Sequence, residues 1–194
     1  MRTDIRKAEL QIVFQCAPLL SGLKISNLLI IDENLSEAVA RILSVTDISV
    51  YWLVCSRNRL SFLLYNDKEL TDYLLRNDVN QMLEQSGYAG LDTEQALQLL
   101  SGRYQRYMEK KGGFPHEIGL FLGYPVEDVK GFIKNGGKNC LYTGYWKVYR
   151  NISEKTKLFA RFDYVRELMV LLACHGAELP EIIDIFHSKN QLIL

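Results

Sequence analysis

Apolar, β-branched residues are concentrated between Leu23 and Tyr65, whereas after Asn66 the hydrophobic positions recur at helical spacing. That division makes the chain an α+β protein, with strands gathered in one part and helices in the rest. Within the first part, residues 23–31 read as a buried strand. Leu35, Ala38, Val39, Ile42 and Leu43 follow at helical spacing behind capping residues at 32–36. Residues 48–55 and 60–65 are two further strands, and the polar Ser56, Arg57, Asn58 and Arg59 between them suit a tight antiparallel hairpin. The expected order is βαββ, preceded by a helix over 9–20 that Pro18 and Gly22 limit.

Helices are expected over 68–76, 79–85 and 93–110, the last with Leu97, Leu100, Tyr104 and Tyr107 on one stripe. Residues 153–175 carry a longer stripe of Leu158, Phe162, Val165, Met169 and Leu172, and Pro180 starts a last short helix. The expected fold is a small antiparallel sheet from the N-terminal third, covered by a helical C-terminal part. With 194 residues, 48% of them hydrophobic, it forms a single domain over 1–194, with sub-lobes 1–90 and 91–194 as an alternative division.

Residues 114–133 read as two short helices joined by a tight turn. Pro115 fits a first helical position, Glu117 meets the positive helix end, Gly123 supplies a left-handed stop and Pro125 starts the second helix. Ile118, Gly119, Leu122, Gly123, Val129 and Ile133 match helix-turn-helix spacing, with a small residue for close approach and apolar anchors behind it. A DNA-binding module and a structural helix pair both remain open. Against the first, Glu127 and Asp128 put two carboxylates on the leading turn of the second helix, where they repel phosphates. Leu120 and Phe121, usually solvent-facing in such a module, are apolar and imply burial.

Net charge is zero but uneven: residues 101–166 hold 13 Lys/Arg against 6 Asp/Glu, together with 13 of the 21 aromatic residues. The loop 138–150 interleaves Tyr142, Tyr145, Trp146 and Tyr149 with Lys147 and Arg150. Rings beside cations suit stacking on a planar ligand while neutralising phosphate. The alternative is a strand whose rings face the core while its cations are solvated.

For catalysis, His116 and Glu117 are the candidate acid-base residues, although neighbours on a helix point about 100° apart and do not bond each other. Cys16, in a turn with Pro18 and Gly22 and with Lys24 and Asn27 beyond, is the candidate nucleophile, because a nearby cation depresses a thiol pKa. Its alternative is an inert, buried cysteine. Cys16, Cys55, Cys140 and Cys174 are scattered singly, so neither a metal site nor a disulfide scaffold is expected. No phosphate-binding loop, dinucleotide fingerprint or serine-nucleophile elbow occurs, which leaves the cofactor unassigned. No apolar run reaches the ~20 residues that span a bilayer, and Glu9, Gln11 and Gln15 interrupt any signal-peptide core, so a cytoplasmic location is expected.

Three segments, CAPLLSGLKISN at 16–27, FPHEIGLFLGYP at 114–125 continuing to Phe132, and GYWKVY at 144–149, together resemble a family of bacterial proteins, mainly from anaerobic Firmicutes, known only as a domain of unknown function. The resemblance spans nearly the whole chain and carries no activity, cofactor or catalytic residue. It implies a stand-alone cytoplasmic protein and marks Cys16, Lys24, Asn27, His116, Glu117, Trp146, Lys147 and Tyr149. The leading expectation is a binding or regulatory protein for an anionic, planar or phosphorylated ligand such as a nucleotide, held by Lys24, Asn27, Tyr145, Trp146, Lys147, Tyr149 and Arg150. An enzyme using Cys16 or the His116/Glu117 turn, and a helix-turn-helix DNA-binding protein, are the alternatives.

Overall fold

The computed structural model describes the backbone of residues 2–190 and the side chains of residues 3–188. The fold is α+β, and its residues divide into two compact units. One takes the chain up to Asp67 together with the part from Phe162 onward; the other is Lys68–Arg161.

The first unit opens with α1 (Arg2–Leu20), which begins before the expected residue 9 and runs through Pro18. Proline there forfeits the N–H bond to the Phe14 carbonyl, and the helix ends two residues later. The Pro18 carbonyl accepts the N–H groups of Leu23 and Lys24, both at 2.9 Å, and the Ser21 hydroxyl at 3.1 Å, so the helix stops at once. Cys16 is therefore a helical residue, a correction to the turn expected around it. Then come β1 (Ser26–Asp32), a 3-10 turn at Glu33–Leu35, α2 (Ser36–Leu43), β2 (Ser49–Ser56) and β3 (Arg59–Tyr65).

The strands form one antiparallel sheet in the order β1-β3-β2, giving the expected βαββ succession. Arg57 and Asn58 between β2 and β3 have φ of 52° and 61°, paired left-handed residues whose twist matches the flanking strands. Residues 32–36 cap their helices through backbone alone, since neither Asp32 nor Leu35 makes a side-chain cap.

The sheet buries Leu29, Ile31 and Leu64 against Ile12, Val13 and Leu20 of α1 and Val39 and Leu43 of α2. Two C-terminal helices, α8 (Ile152–Cys174) and α9 (Leu179–Asn190), add Met169, Ala173, Leu179 and Ile182 to the same core. Glu9, buried, accepts the Leu179 N–H at 2.8 Å and pairs with Arg6 at 2.6 Å, so a carboxylate from α1 meets the positive end of α9.

The second unit holds most of α3 (Asp67–Leu74), then α4 (Asn77–Leu83), which continues into a π-helical turn at Glu84–Tyr88, and α5 (Thr93–Met108). Asp92 and Gln95 form a reciprocal capping box at the start of α5. Leu97 and Leu100 are buried, but the stripe turns outward at its end, where Tyr107 is 40% exposed.

The expected helix pair is α6 (Ile118–Phe121) and α7 (Val126–Lys134), the first a single turn. Gly123 has φ 69° and stops α6, letting the Tyr124 N–H reach the Gly119 carbonyl at 2.9 Å. A Cβ on Gly119 would meet Val129 at 3.0 Å, so this small residue does permit the close approach expected of it. Leu120 and Phe121 are fully buried, as their apolar character implied. The aromatic loop holds a small hairpin of β4 (Tyr142–Thr143) and β5 (Lys147–Val148). No helix among the described residues is long and apolar enough to cross a membrane.

Candidate functional site

In the second unit, α6, α7 and β5 bound a cleft of about 320 Å³ lined by Phe114, His116, Tyr124, Phe132, Trp146 and Lys147. Trp146 is its rigid wall, 8% exposed, stacked on Tyr124 at 4.8 Å and meeting Phe159 edge-on at 4.6 Å. Its indole Nε1 donates to Asp128 Oδ2 at 2.8 Å, while Asp128 Oδ1 accepts the backbone N–H groups of Tyr149 at 2.7 Å and Arg150 at 3.3 Å. Asp128 is 2% exposed. In the sequence it stands as an obstacle to an anionic ligand; in the fold its charge is committed to three N–H groups and ties β5 to α7.

His116 is exposed, its ring 5.3 Å from Phe114 on one side and 5.3 Å from Phe132 on the other. Lys147 Nζ donates to the Gly137 carbonyl at 2.6 Å and lies 5.7 Å from the Phe132 ring centre. That carbonyl takes one of the three donors an ammonium carries. The cleft therefore combines ring faces with a cation held in place.

Glu117 goes elsewhere. Its buried carboxylate accepts Arg103 Nη1 at 2.5 Å and the Tyr88 hydroxyl at 3.1 Å, and burial together with the Glu117 charge raises the Tyr88 pKa. His116 and Glu117, turn residues just before α6, thus go to different surroundings. Tyr145 packs on Phe159 at 5.5 Å. Tyr149 and Arg150 line a separate groove of about 610 Å³ with Lys130, Lys134 and Asn135, on another face of α7. Of the expected binding residues in the 145–150 segment, only Trp146 and Lys147 line the cleft.

Cys16, Lys24 and Asn27 belong to the first unit. Asn27 Nδ2 donates to the Gln15 carbonyl at 2.7 Å and approaches Cys16 Sγ at 3.8 Å, and Lys24 Nζ donates to Asn27 Oδ1 at 3.2 Å. The cation expected to activate the thiol is present, yet burial outweighs it: Cys16 is 0% exposed and its pKa is pushed up to about 12. Burial likewise pushes the Lys24 ammonium down to about 8.

The two shifts make opposite pH predictions. From about 8 up to its ordinary 10.5, folded Lys24 releases a proton that the unfolded chain keeps, so stability rises with pH. From 9.0 to about 12, the unfolded thiol ionises while folded Cys16 does not, so stability falls. Urea titrations should show a rise from about pH 8 to 9.0 followed by a plateau where the two slopes cancel. In Lys24→Met the rise should vanish, and in Cys16→Ala it should continue past 9.0; identical profiles for all three proteins would refute both shifts.

Phe114, Tyr124 and Phe132 are the cleft rings that sequence reasoning did not assign to a site, and Asp128 was read there only as a repulsive charge. Both phenylalanines lie inside the conspicuous 114–133 segment, but at its ends, where helical spacing assigns them no partner. Among the described residues, no three His, Cys, Asp or Glu side chains gather as a metal site. A family model described as a protein of unknown function, DUF3793, matches residues 12–183, in agreement with the resemblance carried by the three motifs. No curated protein and no solved structure matches the chain.

Proposed function

The chain belongs to the DUF3793 family, and we propose that it is a binding protein whose second unit holds a small, planar, anionic ligand of the nucleotide class. The observation that carries this reading is the meeting of Phe114, His116, Phe132 and Lys147 around one cleft of about 320 Å³. That volume falls within the roughly 300–1,000 Å³ of small-molecule sites. Ring faces accept any π system, the ammonium supplies charge-assisted bonds to phosphate, and the Trp146–Asp128 bond keeps the wall rigid. Cys16 and Glu117 are buried and hydrogen-bonded, and a binding role needs neither. Four free cysteines suit a reducing compartment, and a cytoplasmic location is part of the proposal.

Calorimetric titration with purine and pyrimidine mononucleotides, nucleosides and inorganic phosphate, at two salt concentrations, tests it. Mononucleotides are expected to bind, nucleosides more weakly, and affinity to fall with salt. Lys147→Ala should weaken mononucleotide binding roughly tenfold, the loss of about 1.4 kcal/mol. No heat with any of these ligands would remove the proposal.

One observation favours a second reading, duplex DNA binding through α7. Lys130 and Lys134 are exposed on it and share a groove with Arg150, while Asp128, half of the expected repulsion, is buried. This reading predicts a duplex gel shift abolished by Lys130→Ala/Lys134→Ala and indifferent to Lys147→Ala.

A further inference from the structure

The rings of the cleft do not end at its edge. Phe114, 39% exposed, contacts Tyr107 at 5.1 Å and 84° and Tyr104 at 6.3 Å and 75°. With the Phe114–His116 and His116–Phe132 contacts, both 5.3 Å, a continuous ladder of rings runs from the end of α5 to Lys147. A site for one free mononucleotide has no use for Tyr107, which does not line the cleft.

Cations accompany the ladder. Arg106, Lys110 and Lys111 are all exposed, and Arg106 and Lys110 make no ion pair with any described residue. Lys110 has φ 59° and occupies the left-handed position after α5, its N–H reaching the Tyr107 carbonyl at 2.9 Å and that of Lys111 reaching the Arg106 carbonyl at 2.8 Å. Glycine is the residue that this position favours. A lysine there is less favourable for the backbone than glycine, and it adds a cation to the segment directly after α5.

Resting on the cleft reading, we propose that the ligand is a single-stranded nucleic acid: one base enters the cleft, the neighbouring bases stack on Phe114 and Tyr107, and the phosphates meet Arg106 and Lys110. Aromatic platforms flanked by cations bind single strands in this way, and flat ring faces without base-edge partners make the binding tolerant of sequence. Affinity then depends on length, since each added base gains a ring and each added phosphate a cation.

Fluorescence anisotropy with labelled oligouridylates and oligodeoxythymidylates of one, two, four and six nucleotides, and with a hairpin whose G·C-rich stem of about six base pairs stays paired at the assay temperature, tests this. Affinity is expected to rise at least tenfold from one to four nucleotides, with a steeper salt dependence for the longer strands, and the hairpin to bind more weakly than the single strand. Tyr107→Ala should remove most of the length advantage. Lys110→Gly should lower oligonucleotide affinity several-fold while raising the thermal midpoint, a pairing that a purely structural lysine would not produce. Binding of mononucleotides with no gain on lengthening would overturn the inference and leave the cleft reading standing; binding of nothing would end both. A hairpin bound as tightly as the single strand would likewise overturn it.

Discussion

Asp128→Ala is expected to destabilise the second unit by roughly 3 kcal/mol, because one substitution leaves the buried Trp146 indole N–H and two backbone N–H groups without their acceptor. The loss should reach the cleft as well as the fold. Trp146 is the wall on which Tyr124 stacks, and Asp128 supplies the acceptor for its indole N–H and for the backbone that follows β5. Urea unfolding followed by tryptophan fluorescence reads it directly in a Trp52→Phe background, which removes the exposed second tryptophan. Asp128→Asn should lose less, since the amide keeps one acceptor oxygen but turns an N–H₂ toward a donor. A midpoint for Asp128→Ala equivalent to less than about 0.5 kcal/mol of change, the usual range of surface substitutions, would mean that the carboxylate is not the strut described.

The second large effect carries a sign that helix propensity alone gets wrong. Gly131 lies inside α7, where replacing glycine by alanine ordinarily stabilises by about 1 kcal/mol. Here a Cβ would run into the Tyr149 ring at its root, close to the backbone where the side chain has least freedom to move aside. Gly131→Ala is therefore expected to destabilise, by roughly 1–3 kcal/mol, as overpacking does. Adding Tyr149→Gly, which removes both the ring and the Cβ that lies 2.6 Å from the new methyl, should restore the loss and reveal the helical gain, so the double variant should be more stable than Tyr149→Gly alone. A Gly131→Ala protein more stable than the parent would show that β5 does not pack closely on this face of α7.

Both predictions concern contacts between positions 18 to 22 residues apart, and that separation marks the boundary of what could be read in advance. Local chemistry was legible. Arg57 and Asn58 make a hairpin turn because polar residues tolerate left-handed backbone, Gly123 stops α6, Gly119 admits Val129, and Leu120 and Phe121 are buried because they are apolar on both sides of a short helix. The extent of α1 was not legible: Pro18 reads as a helix breaker unless the last turn is known to end there. Nor was the state of Cys16. Sequence places a lysine nearby, but how strongly burial opposes ionisation depends on the core that encloses the thiol.

The candidate site divides along the same line. Residues 114–133 and 144–149 stand out in the chain, and both border the cleft. Yet Trp146 and Lys147 line it while Tyr149 and Arg150 face another groove, and Asp128 turns from an exposed repulsive charge into a buried strut. By itself the sequence determined the α+β class, the strand succession and the turns, because these depend on periodicity and on backbone preferences acting over a few residues. Only the tertiary structure decided which rings are walls and which are open faces, since burial and hydrogen-bond partnership belong to pairs of residues brought together by folding.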